Sequence, residues 1–141
     1  MKVALERINN DYLFEVSNDH GHRVFLDNKT KTEGSVKGIS PMELLLMGLA
    51  GCSSIDVVAI LQKQKINPTS LKMEVEGHRP EGVIPRLFHE IQVNVYLEGD
   101  FSPEKALRAV ALSFEKYCSV SKTLEHTANI THTVYLNGKK L

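Results

Sequence analysis

The stretch Ser40-Pro41-Met42-Glu43-Leu44-Leu45-Leu46-Met47-Gly48-Leu49-Ala50-Gly51-Cys52-Ser53-Ser54-Ile55-Asp56-Val57-Val58-Ala59-Ile60-Leu61-Gln62-Lys63-Gln64 decides the fold. Ser40 suits an N-cap. Pro41 suits the first helical position, where its missing N–H would be unpaired anyway, and Glu43 completes a capping box three residues past the cap. From Leu44 to Leu61 the apolar residues surround the axis instead of forming one stripe, and such a helix must be covered on all sides. At about 1.5 Å per residue it would run roughly 36 Å. The expectation is a long buried central helix, with a second subunit as part of its cover.

On its N-terminal side, three short strands are expected: Val3 to Arg7, Tyr12 to Ser17 and His22 to Asp27. Turn residues at Asn9-Asn10-Asp11 and Asn18-Asp19-His20-Gly21 separate them, as in a meander. The polar run from Asn28 to Gly38 reads as a mobile surface loop. Beyond the helix, Asn67-Pro68 makes a break. Leu71, Met73 and Val75 then alternate with charged residues, as do Ile91, Val93, Val95 and Leu97 with polar ones, which predicts two strands with Arg79-Pro80-Glu81-Gly82 turning between them. Ser102-Pro103-Glu104 opens a second helix with Ala106, Val110 and Phe114 on one face and Leu107 and Ala111 beside them. Cys118-Ser119-Val120-Ser121 interrupts it, a short helix follows through Glu125, and Ile130 to Leu136 closes as a strand. The order β-β-β-α-β-β-α-α-β is an α+β fold. No repeat or low-complexity segment divides the chain, and one domain over residues 1–141 is expected.

Seventeen basic and seventeen acidic residues cancel, so the chain lacks the basic footprint of a nucleic-acid binder. Met1 to Arg7 lacks the apolar core of a signal peptide, and Ser53, Ser54 and Asp56 argue against a membrane span. A cytoplasmic protein is expected. The two cysteines match neither a secreted disulfide framework nor a Cys-x-x-Cys motif.

Cys52 lies mid-helix, immediately after Gly51 and one turn after Gly48. Each glycine costs about 1 kcal/mol relative to alanine inside a helix, which suits close approach by a backbone, a partner or a substrate. Taken alone, Cys52 also reads as a small core residue, since free cysteine is among the most buried residue types. Asp56, one turn on, would raise a thiol pKa unless it points away. Cys118 sits at a helix break and could resolve an oxidised Cys52 if the two helices pack together. His20, His22, His78, His89, His126 and His132 show no metal-binding spacing, so no metal is expected. Ser53, Ser54, Ser119 and Ser121 have no nucleophile-elbow motif.

The long Ser40 to Gln64 helix with its cysteine, followed by Glu115-Lys116-Tyr117-Cys118-Ser119-Val120-Ser121, resembles the OsmC/Ohr family over nearly the whole chain. This family comprises the osmotically induced and organic hydroperoxide resistance proteins, and the chain looks most like its OsmC-like redox branch. The resemblance implies an intertwined homodimer built around two long helices. It also implies a thiol peroxidase, with Cys52 as the peroxidatic and Cys118 as the resolving cysteine, an organic hydroperoxide as substrate, an external dithiol as reductant and no cofactor. The family arginine comes from the region between the first strands, where Arg7 is the match. In the hydroperoxidases a glutamate follows the proline at the helix start and holds that arginine. Here Met42 stands in that position and Glu43, one later, lies about 180° around the helix from Cys52. The competing reading is a non-catalytic dimer whose cleft binds an apolar small molecule.

Overall fold

A computed structural model describes residues 1–28 and 35–141. Most of the polar run after Asn28 falls outside the described residues, so its expected mobility does too. The described elements are β1 (Val3–Arg7), β2 (Phe14–Asn18), β3 (Arg23–Leu26), α1 (Pro41–Lys63), β4 (Ser70–His78), β5 (Glu90–Glu98), α2 (Pro103–Leu112), α3 (Ser119–Leu124), β6 (Asn129–Leu136) and β7 (Lys139–Lys140). A π-helical turn, Ser113–Tyr117, joins α2 to α3. The α+β class and the element order match the expectation, with the π turn and the two-residue β7 added.

The chain divides into two compact units, Met1–Leu45 and Leu46–Leu141. In the first, β1, β2 and β3 form an antiparallel meander in which Leu5 pairs with Val16 and Val16 with Val24. Asp27 organises the chain beyond β3. Its carboxylate accepts the backbone N–H of Asn28 at 2.7 Å and that of Lys37 at 2.9 Å. Gly38 is required nearby, because a Cβ there would meet the Phe25 carbonyl oxygen at 2.7 Å. The capping box at the start of α1 is formed as the residue types dictate: Glu43 N–H donates to Ser40 Oγ at 3.2 Å, and Ser40 N–H donates to Glu43 Oε2 at 2.9 Å.

The second unit holds a four-stranded sheet in the order β4-β5-β6-β7. Ile91, Val93, Val95 and Leu97 of β5 are all buried, each contributing about 1.5–3 kcal/mol by leaving water. Strand β5 lies between antiparallel β4 and parallel β6, with Ile91 opposite Ile130 and Leu97 opposite Leu136. A parallel neighbour requires a crossover, and α2, the π turn and α3 supply it. Ala106, Ala109 and Val110 form the buried face of α2, while Leu107, expected beside that face, is exposed.

Helix α1 buries a single line, Leu49, Ser53, Val57 and Leu61, at the spacing of one helix face. Leu45, Met47 and Ile55 remain exposed, and a Cβ on Gly48 or Gly51 would meet nothing within 4 Å. Among the described residues, therefore, the helix that is apolar all round buries one line of side chains. By length and composition α1 could also cross a membrane, a test that core helices of soluble proteins pass as well.

Candidate functional site

The π turn sets the site. Cys118 N–H reaches back five residues to the Ser113 carbonyl at 2.8 Å, ending the helical run and leaving Cys118 extended (φ −69°, ψ 100°) as the N-cap of α3. Its side chain then does what a serine would do at a cap. Cys118 Sγ accepts the backbone N–H of Ser121 at 3.3 Å. From α1, the Ser53 hydroxyl donates to the same sulfur at 3.4 Å. Cys118 is fully buried, whereas Cys52 is half-buried.

Cys52 Sγ, Cys118 Sγ and a carboxylate oxygen of Asp56 all lie within 4.8 Å of one another. The two cysteines expected to cooperate are thus brought together, as free thiols. Asp56 does not point away. Its carboxylate is part of the cluster and accepts the Ser113 hydroxyl at 3.4 Å, a proton that also faces the Ser53 carbonyl at 3.4 Å. The charged acceptor is the stronger of the two.

Electrostatically, the site disfavours the thiolate of the buried Cys118. Burial pushes the Cys118 pKa up, and the neighbouring Cys52 thiol adds to the rise, while the Ser53 hydroxyl and the Ser121 N–H oppose it. Cys52 is the more exposed sulfur of the pair, and Cys118 is buried behind it.

Arg7, the expected activating cation, belongs to the first unit. Its Nε donates to the Asp11 carbonyl at 2.9 Å and an Nη to the Asn10 carbonyl at 2.6 Å, closing the β1–β2 turn. Carbonyls orient a guanidinium without cancelling its charge. The same unit contains a cavity of about 370 Å³ lined by Leu5, Tyr12, Phe14, Leu26 and Pro41, with Asp27 and Asn28 at its polar side.

Ser53, Ser113 and Asp56 complete the cluster around the sulfurs. In the sequence Ser53 registers only as a polar interruption of an apolar run, and Ser113 carries no signal, since a serine inside an amphipathic helix is usually solvated. The Cys-x-x-Ser spacing from Cys118 to Ser121 is the one readable trace, because a cap side chain accepts from the N–H three residues on.

The model of the OsmC-like protein family matches residues 32–133. Protein YhfA of Escherichia coli strain K12 is 41% identical over 114 residues, covering 80% of this chain and 81% of that protein. An OsmC-like protein from Mycoplasma pneumoniae shares the fold with a TM-score of 0.82 at 22% identity, covering 96% of this chain and 95% of that one. The organic hydroperoxide resistance protein OhrB of Bacillus subtilis shares it with a TM-score of 0.70 at 18% identity, over 95% and 96% of the two chains. The chain belongs to the OsmC-like protein family.

Proposed function

We propose that this protein is a thiol peroxidase that reduces organic hydroperoxides through Cys52. The observation that carries the reading is the pairing of a half-buried and a fully buried thiol whose sulfurs lie within 4.8 Å. The Cys52 thiolate attacks the terminal peroxide oxygen, the O–O bond breaks, and the alkoxide leaves and takes a proton to become an alcohol. Cys52 is now a sulfenic acid. The Cys118 sulfur attacks it, a disulfide forms and water leaves with the Cys118 proton. An S–S bond needs about 2.05 Å, and the extended cap at Cys118 is the segment that closes the remaining gap. An external dithiol then reduces the disulfide and is itself oxidised. In this scheme Arg7 is the cation that favours the Cys52 thiolate, and no cofactor takes part. The decisive measurement is consumption of cumene hydroperoxide with a dithiol supplied. Robust turnover supports the reading, and no consumption above a Cys52→Ser control rejects it.

The working unit in this proposal is a cytoplasmic homodimer. Gly48, Gly51 and Ile55 lie on the side of α1 away from Leu49, Ser53, Val57 and Leu61, and among the described residues nothing approaches the glycines there. A second copy of α1 packed against that side would account for them, since small residues let backbones approach closely.

The apolar cavity in the first unit favours a second reading, in which the protein binds an apolar small molecule without turning it over. Retention of a hydrophobic fluorescent probe by the Cys52→Ser protein, combined with no peroxide consumption by the wild type, would select that reading.

A further inference from the structure

The cluster that the peroxidase scheme uses as two thiols contains a third group the scheme leaves idle. We propose that in the reduced protein Cys52, Asp56 and Cys118 together bind one thiophilic divalent cation, of which zinc is the type, and that disulfide formation expels it. The inference concerns the same thiols as the peroxidase reading but does not depend on their turning over.

Three observations carry it. First, the distances fit. Tetrahedral zinc with Zn–S bonds of about 2.3 Å and Zn–O bonds of about 2.0–2.2 Å sets its ligand atoms roughly 3.5–3.8 Å apart, and here all three atoms already lie within 4.8 Å of one another. Rotamer-scale shifts of about 1 Å suffice. Second, outer groups hold two of the ligands in place. Ser53 Oγ and Ser121 N–H both donate to Cys118 Sγ, and Ser113 Oγ donates to Asp56 Oδ2, the kind of support that orients metal ligands and tunes their basicity. Third, the cluster has potential negative charge and, among the described residues, no side-chain ion pair is formed by Asp56. Two thiolates and a carboxylate at this separation repel one another, and a divalent cation offsets that repulsion where a proton otherwise must.

Two sulfurs select a thiophilic ion over calcium or magnesium, which take oxygen ligands. Three protein ligands leave a fourth position for water, on the side where Cys52 is open to solvent. Binding converts two thiols and one cation into a dithiolate complex and releases two protons. Oxidation of the pair to a disulfide removes both thiolates, so the cation leaves. While bound, it occupies the sulfur lone pair that a peroxide needs.

The test uses the full chain, reduced and freed of metal, titrated with zinc against a chromophoric chelator. The expected result is one zinc per chain, a zinc-edge absorption spectrum with two sulfur neighbours at about 2.3 Å, and at least tenfold slower alkylation of Cys52 by iodoacetamide. Binding should vanish after diamide oxidation. Asp56→Asn should weaken zinc at least tenfold while the diamide-driven disulfide still forms, which also shows that this variant folds. No competition with the chelator, binding that survives oxidation, or unchanged affinity in Asp56→Asn would each overturn the three-ligand site. None of these readouts requires peroxide turnover, so failure here and failure of the peroxidase reading are distinguishable.

Discussion

The Ser53 hydroxyl donates to the Cys118 sulfur at 3.4 Å and ties the middle of α1 to the start of α3 across 65 positions of sequence. Cys118 thereby carries two donors and the neighbouring Cys52 thiol at a fully buried point. Its ionisation is governed by the balance between burial and those donors.

Replacing Ser53 with alanine removes one donor from that balance and should lower stability by about 0.5–1.5 kcal/mol. Since the hydroxyl holds the Cys118 pKa down, its loss pushes the pKa further up and, under the peroxidase proposal, should slow the resolving step. A dimedone adduct on Cys52 should accumulate several-fold more in Ser53→Ala than in the wild type after one peroxide pulse. Equal adduct yields would remove Ser53 from the resolving step.

The cysteine variants separate the two thiol roles proposed for Cys52 and Cys118. Cys52→Ser should abolish hydroperoxide consumption. Cys118→Ser should retain a single oxidation event and fail to give an intramolecular disulfide, read by intact mass after peroxide and alkylation. Wild-type rates in Cys52→Ser would reject the mechanism.

Cys118 should also mark the alkaline limb of stability. Its pKa is raised from an ordinary value of 9.0, so below that pH both states hold the proton and no difference arises. Above it the unfolded chain ionises first, and stability falls as pH rises toward the higher folded value. Thermal melts of reduced protein between pH 7 and 10.5 should show a steeper loss for wild type than for Cys118→Ser. Parallel curves would contradict the raised pKa.

Gly51→Ala discriminates a lone helix from a packed one. On an open helix surface the change should stabilise the chain by about 1 kcal/mol. Under the homodimer proposal the added methyl instead meets the second α1, and the dimer dissociation constant should rise at least tenfold in sedimentation equilibrium. A stable wild-type monomer at micromolar concentration would reject the dimer.

Arg7→Ala should lower kcat/KM for an organic hydroperoxide at least tenfold if its charge favours the Cys52 thiolate. Arg7→Lys should recover only part, because an ammonium cannot fork to the Asn10 and Asp11 carbonyls as the guanidinium does. An unchanged rate in Arg7→Ala would assign the residue to the β1–β2 turn alone.

Much of this architecture is legible residue by residue. Ser40, Pro41 and Glu43 announce the start of α1, and the capping box forms as their types require. Alternation along Ile91, Val93, Val95 and Leu97 announces a strand with one dry face, and all four are buried. The interruption at Cys118 is visible too, but its form is not: nothing local says that Cys118 N–H will bond five residues back. Leu107 misleads because apolar residues also occur singly on surfaces.

What the sequence determined by itself is whatever acts within one helical turn or one strand: element order, caps, alternation and the presence of two thiols. Tertiary structure decided the partners. The parallel pairing of β5 with β6 makes the intervening helices a crossover, and at its π turn and cap that crossover sets Cys118 and Ser113 against Ser53, Cys52 and Asp56 of α1. A serine or aspartate has no local cost in a helix that reveals its partner, because the need for one arises only when packing removes its water. Contacts across such separations are fixed by the burial of the whole unit, and the chemistry of the two sulfurs is inherited from that packing.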